Sequence, residues 1–221
     1  MGFKGVLIAN RGEIAIRIAR AVQELNLHAV AVYSEDDAAS LHTRIADEAV
    51  SLEGLGARAY LNIDGVIDAA KAAHCDAIHP GYGFLSEQAE FATACAQAGI
   101  KFIGPSVQHL SLFGDKARAR AAATAADVPV LAGIDRSVTL EQAHAFFDQH
   151  PQGIIIKALA GGGGRGTRAV KDKASLDDAF ARCQSEAKAA FGVEDVYVEV
   201  FLQQARHIEV QIIGDESGNI A

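Results

Sequence analysis

The stretch Gly153-Ile-Ile-Ile-Lys157-Ala-Leu-Ala-Gly161-Gly-Gly-Gly-Arg-Gly166-Thr-Arg-Ala-Val170 decides the fold. Its spacing Gly161-x-Gly163-x-x-Gly166 formally matches a dinucleotide fingerprint. In that fingerprint the glycines open a helix whose N-terminus holds a pyrophosphate. Here Thr167 to Val170 reads as extended, and the next helix waits until Ser175. No Gly-Lys-Ser/Thr closes the loop, so it is not a Walker A loop either. The remaining reading is two strands, 153–158 and 167–170, joined by a glycine-rich hairpin. Backbone N–H groups of such a hairpin can fold over nucleotide phosphates. Five glycines in the six positions 161–166 are entropically costly to order, which suits a loop closing over a ligand.

The charge around the hairpin points the same way. Lys157, Arg165, Arg168, Lys171 and Lys173 are cations, and Asp172 is the only acid among them. A local basic site on a chain of net charge −8 suits an anionic small molecule. The acidic total, 20 Lys and Arg against 28 Asp and Glu, disfavours a general nucleic-acid binder. Lys157 leaves an apolar strand, so its ammonium needs phosphate oxygens or a structural carboxylate. Glu199 stands alone in the otherwise apolar strand Val196-Tyr-Val-Glu-Val-Phe-Leu202, which marks it as paired or functional. His207 to Ile213 alternates, with Ile208, Val210 and Ile212 on one face and His207, Glu209 and Gln211 on the other. That pattern reads as a strand with one solvated face.

Toward the N-terminus, short strands alternate with helices. Strands are expected at Val6–Ala9, Ala29–Tyr33, Ala49–Leu52, Ala77–His79 and Lys101–Ile103. Helices are expected through Ile14, Ile18 and Val22, after an Asn62 cap, and after a Ser86 cap as far as Gly99. This alternation implies a parallel sheet covered on both faces. His79 and Tyr82 fall at the C-terminal end of a parallel strand, the usual edge for sites. Asn10-Arg-Gly-Glu13 stands where a Rossmann glycine motif would be, and Glu35-Asp-Asp37 where a ribose acid would be. The missing glycines weigh against NAD there. Residues 106–128 read as a helical linker ending before Pro129. The part after it is α+β, with capping boxes at Thr139–Gln142 and Ser175–Asp178. Asp215 to Asn219 reads as a turn into a further strand, so the chain reads as the N-terminal piece of a longer protein.

No run approaches the roughly 18 apolar residues of a membrane span, and the apolar run at the start is too short to read as a signal peptide. Cys75, Cys95 and Cys183 form no CxxC pair, so neither a zinc site nor a disulfide frame is expected. A cytoplasmic, reduced protein is the expectation.

Six motifs, in order, carry a resemblance. Ile8-Ala-Asn-Arg-Gly-Glu-Ile-Ala15, His79-Pro-Gly-Tyr-Gly-Phe-Leu-Ser-Glu87, Phe102-Ile-Gly-Pro105, Gly114-Asp-Lys116, the Gly161–Gly166 loop and Arg206-His-Ile-Glu-Val-Gln211 resemble biotin carboxylase. This is the ATP-grasp component of the biotin-dependent carboxylases. The resemblance implies an α/β fold: a Rossmann-like pre-ATP-grasp domain over 1–105, the linker 106–128, and an α+β ATP-grasp lid over 129–202. Residues 203–221 would begin a C-terminal catalytic subdomain whose remainder is absent.

The implied reaction uses Mg-ATP to activate bicarbonate as carboxyphosphate. The carboxyl group then passes to biotin on a carrier domain. A carboxyltransferase and a homodimer are implied as partners. By resemblance, Lys116 and Lys157 hold ATP phosphates, and Gly163 and Gly164 supply lid amides. Glu199 and Leu202 form the hinge that reads adenine, Leu202 through its backbone. His207 contacts the ribose, and Tyr82 lies toward the bicarbonate or biotin side. The magnesium ligands and the general base would lie beyond Ala221, so no metal ligand is expected here. One departure is Val200, where the family usually has Lys; that contact is mostly through backbone, so ATP binding is expected to survive. Alternatives are another ATP-grasp ligase of the carbamoyl-phosphate synthetase type, and a non-catalytic nucleotide-binding or dimerising module. His79 to Glu87 favours biotin carboxylase over the former.

Overall fold

The structure is a computed structural model and describes residues 2–160, 166–215 and 217–221. The chain divides into two compact units, Met1–Ala119 and Arg120–Ala221.

The first unit runs β1 (Gly5–Ile8), α1 (Gly12–Glu24), β2 (His28–Tyr33), α2 (Leu41–Ile45), β3 (Glu48–Ser51), α3 (Gly56–Ala59), α4 (Ile63–Ala72), β4 (Ala77–His79), α5 (Ala89–Gln97), β5 (Lys101–Phe102) and α6 (Val107–Phe113). Its sheet has the order β3-β2-β1-β4-β5 and is parallel throughout. Strand residues alternate faces. Leu7, Val30 and Ile78 therefore enter one core, with Phe91. Val6, Ile8, Ala29 and Ala77 enter the opposite core, with Ala15 and Ile18 of α1. Both faces are covered, so the strands are apolar along their whole length, as doubly wound sheets require. The order reverses between β1 and β4, which leaves a crevice outside their C-terminal ends.

Asn62 caps α4, its side chain accepting from the Gly65 N–H at 3.1 Å. Ser86 does not cap a helix. Two turns, Ser86 N–H to the Gly83 carbonyl and Gln88 N–H to the Leu85 carbonyl, use up that segment, and α5 starts later with Gln88 as its N-cap.

Helix α7 (Lys116–Ala125) contains the boundary between the units. The second unit continues with β6 (Gly133–Ile134), α8 (Leu140–Gln149), β7 (Ile154–Ala158), β8 (Thr167–Val170), α9 (Leu176–Phe191) and β9 (Val196–Val200). Its sheet is antiparallel in the order β6-β9-β7-β8. Ile154, Ile156, Val170 and Val198 pack with Phe146 of α8 and with Leu176 and Cys183 of α9. Thr139 and Gln142 form the expected capping box. At α9 the expected box is not made: the Ser175 hydroxyl donates backward to the Asp172 carbonyl at 2.7 Å.

The expected strand His207–Ile213 is likewise not formed. Among the described residues no strand pairs with it; local pairing is confined to its end, where Ile213 and Ala221 exchange backbone hydrogen bonds beside the bridge Gly214–Ile220. Ile208 and Val210 are 77% and 78% exposed. Alternation specifies which face a strand would bury, but a ladder needs a partner backbone.

Cys75, Cys95 and Cys183 are buried thiols. Burial pushes Cys75 up to about 12 and Cys95 and Cys183 up to about 11.

Candidate functional site

In the second unit, Glu199 lies on β9 between β6 and β7, 6% exposed. Gly133 makes room for it: a Cβ there would meet the Glu199 Cγ at 2.9 Å. Glu199 is paired in register with Ile155, and Tyr197 with Lys157. These four side chains thus share the sheet face opposite the apolar core. A lone carboxylate there would be strongly unfavourable without counter-charge. Two cations supply it. The Lys157 ammonium donates to Oε2 at 2.6 Å. The Arg120 guanidinium donates through Nη1 to Oε1 at 3.1 Å. Arg120 also donates through Nη2 to the Leu131 carbonyl at 2.6 Å, and its Nε lies 3.5 Å from Asp135.

The structure therefore brings Lys157 and Glu199 together as an ion pair, the structural-carboxylate alternative for the lysine. Lys157 remains 31% exposed, so its ammonium is within reach of solvent. Leu202 and His207 follow β9 on an exposed run, and His207 lies 3.4 Å from Glu209. Gly163 and Gly164 lie outside the described residues. Beyond them β8 pairs antiparallel with β7, so Thr167–Val170 is a strand where a dinucleotide fingerprint would have a helix.

The basic window is more committed than its sequence suggests. Arg168 is paired with Glu186, Lys173 with Asp148, and Lys171 sits 5.3 Å from the Phe201 ring centre. Folding distributes these charges among partners far away in sequence; of the described cations in the window, Lys157 is the one directed at Glu199.

In the first unit, Lys116 begins α7. Asp115 caps this helix, its carboxylate accepting from the Arg118 N–H at 3.0 Å. Tyr82 lies on the loop after β4, 59% exposed. It borders a cavity of about 620 Å³ lined also by Asn10, Arg11, Glu13 and Asp37 at the sheet's switch point. The Asn10 amide, 2% exposed, pins that loop by donating to the Pro80 and Tyr82 carbonyls at 2.7 and 2.8 Å. Gly81 has φ +65°, and a Cβ there would come within 2.7 Å of the Asn10 amide nitrogen. The Tyr82 hydroxyl donates to Glu13. That bond lowers the Glu13 carboxyl and raises the Tyr82 phenol from their ordinary values. Asp37 faces opposing influences: burial raises it, but the Tyr60 and Ser40 hydroxyls and Arg11 outweigh this and hold it low.

Arg120 is not singled out by its sequence context, and Asn10 stands out there only as part of the motif after β1, not as the residue that pins the Tyr82 loop. Arg120 follows Lys116 by one helical turn in an Ala-rich segment that reads as a linker, and its spacing was the available signal. Among the described residues no group of three His, Cys, Asp or Glu is placed to hold a metal ion. The described residues of the site thus offer cations for an anionic ligand but no metal-ligand set.

The family described as biotin carboxylase, N-terminal domain, matches residues 2–110. The family described as carbamoyl-phosphate synthase L chain, ATP binding domain, matches residues 115–221. Pyruvate carboxylase of Staphylococcus aureus is 52% identical over 220 residues, covering 98% of this chain and 19% of that protein. The mitochondrial pyruvate carboxylase of Homo sapiens is 51% identical, also over 98% of this chain and 19% of that protein. A biotin carboxylase–βγ-ATP complex from Campylobacter jejuni superposes with a TM-score of 0.94 at 44% identity, covering 99% of this chain and 50% of that one. The biotin carboxylase domain dimer of the Hydrogenobacter thermophilus 2-oxoglutarate carboxylase, with MgADP, ADP and bicarbonate, gives 0.91 at 40% identity, covering 100% of this chain and 49% of that one. The chain thus spans about a fifth of the curated relatives and about half of the solved biotin carboxylases. It belongs to the biotin carboxylase family, of which it carries the N-terminal domain and the ATP-binding domain that follows.

Proposed function

We propose that this chain forms the nucleotide-gripping N-terminal part of a biotin carboxylase. The whole enzyme would use Mg-ATP to activate bicarbonate as carboxyphosphate and then carboxylate biotin on a carrier domain. The observation that carries the reading is the Lys157–Glu199 pair on adjacent strands at the base of the glycine hairpin. A partly exposed ammonium beside such a hairpin is suited to a phosphate oxygen, and phosphoryl transfer depends chiefly on positioning and charge neutralisation.

In this reading Lys157 and Lys116 hold phosphates and Gly163 and Gly164 lend amides above them. Glu199 and the Leu202 backbone read adenine, and His207 meets the ribose. Tyr82 faces the bicarbonate or biotin side. Closure over the phosphates would keep water from a labile carboxyphosphate. Magnesium supplies charge neutralisation on the phosphates when bound, through ligands outside this set. The domains divide at 1–105, 106–128, 129–202 and 203–221. The enzyme works in the cytoplasm, as a homodimer, with a carrier domain and a carboxyltransferase. The curated relatives at about half identity are pyruvate carboxylases, which favours pyruvate as the final acceptor. The match of residues 2–110 to a biotin carboxylase domain weighs against a carbamoyl-phosphate synthetase.

Titration calorimetry with Mg-ATP tests the site. Lys157→Met should weaken ATP binding by about tenfold or more, as expected for losing a charged phosphate contact. Unchanged affinity in that variant would remove Lys157 from the site.

A further inference from the structure

We propose that Arg120 is a positioning residue of the nucleotide site: it keeps the Glu199 carboxylate compensated when the Lys157 ammonium turns away to a phosphate. This rests on the reading of Lys157 as a phosphate ligand.

The geometry separates two kinds of cation on one carboxylate. Each Glu199 oxygen has its own donor, Lys157 on Oε2 and Arg120 on Oε1. Among the described residues Lys157 is held at this site by its bond to Glu199, and it is 31% exposed. Its flexible stem lets the ammonium change partners. Arg120 is 16% exposed and held on three sides, by Glu199, the Leu131 carbonyl and Asp135. A planar guanidinium gripped at several donors does not swing away.

A phosphate can recruit Lys157 only if the carboxylate left behind stays neutralised. Glu199 is 9% exposed at its side chain, where an abandoned charge is strongly unfavourable. With Arg120 in place, Lys157 leaves an ion pair and not a bare anion. Without Arg120, Lys157 becomes the sole counter-charge and is held back from the ligand. Arg120 therefore favours phosphate binding without touching phosphate.

This predicts a signature that a scaffold role lacks, because only a phosphorylated ligand needs Lys157 to move. ATP and adenosine are titrated into the intact protein and into Arg120→Met, Arg120→Lys, Glu199→Gln and the Arg120→Met/Glu199→Gln pair. Arg120→Met should lose about tenfold or more in ATP affinity and several-fold less in adenosine affinity, which also depends on Glu199 in this reading but needs no movement of Lys157. Arg120→Lys should recover most of the loss. In the Glu199→Gln background, Arg120→Met should cause little further loss, since no carboxylate is left to compensate. Arg120→Gln, which can still donate to Leu131, serves if the Met variant does not fold. Equal loss for ATP and adenosine, or unchanged ATP affinity, overturns the proposal. If Lys157→Met itself binds ATP normally, the phosphate reading fails first. If Lys157→Met loses affinity and the Arg120 variants do not, this proposal alone fails.

Discussion

The two units bury polar groups in different ways. In the first, the buried polar side chains among the described residues are Asn10, Ser34 and His42. All three are neutral, and two are tied to backbone: Asn10 donates to the Pro80 and Tyr82 carbonyls, and the His42 Nε2 lies 3.2 Å from the Val32 carbonyl. In the second, the buried polar group is the carboxylate Glu199, shared by two cations. A dipole tied to a fixed carbonyl has one satisfied arrangement. A carboxylate between two cations has more than one, because Lys157 can turn to a ligand while Arg120 stays on the carboxylate. The first arrangement fixes a loop; the second readies a site for an arriving anion.

Removing the charge should break this contrast most sharply. Glu199→Ala leaves Lys157 and Arg120 facing each other without the carboxylate between them, with Asp135 remaining beside Arg120. It should lower stability by about 2–3 kcal/mol, below the value for a fully buried pair because Lys157 reaches solvent. Urea unfolding measures this, and a loss under about 0.5 kcal/mol would place the pair among ordinary surface bridges.

Asn10→Ala should be next, at about 1–2 kcal/mol, since two carbonyls lose their donor. Its effect should concentrate on the loop carrying Tyr82. Faster amide exchange there than in β2 would sharpen the comparison, and uniform acceleration would blur it.

The smallest effect is a pH dependence of the first unit. Burial holds His42 and His79 below the ordinary imidazole value of 6.5. Asp37 pulls His42 partly back up and Arg11 pushes it further down. The His79 Nδ1 accepts from the Gly81 N–H at 3.0 Å, a bond that protonation there would abolish. With folded values depressed, the unfolded chain takes up protons first. This stability is therefore intact above 6.5 and lost as pH falls below it. Going from about pH 7.5 to about pH 5.5 should lower stability, and His42→Gln should flatten the slope. An identical slope in that variant would clear His42 of the effect.

Much of the fold was legible because both periods were present. Val6 to Ala9 and Ala29 to Tyr33 are apolar on both faces, which only a covered parallel sheet permits. The hairpin was legible because Thr167–Val170 follows its glycines where a helix should otherwise start. Three readings missed because they depended on neighbours that sequence does not show. Ser86 was claimed by a turn and Ser175 by the Asp172 carbonyl, and among the described residues no strand lies beside 207–212. Within the site, Lys157 and Glu199 could be marked as polar residues in apolar strands, but not that they meet. Arg120 escaped notice because its partners, Leu131, Asp135 and Glu199, are separated from it by 11 to 79 positions.

The shielded cysteines turn the molecule into its own recorder. Two sulfurs, at positions 75 and 95, belong to the first unit, and one, at 183, to the second. With values near 11 and 12 they present almost no thiolate at neutral pH. An alkylating reagent will mark each only when its surroundings part. Peptide mapping of the tagged positions would then tell which half loosens first, with no engineered probe.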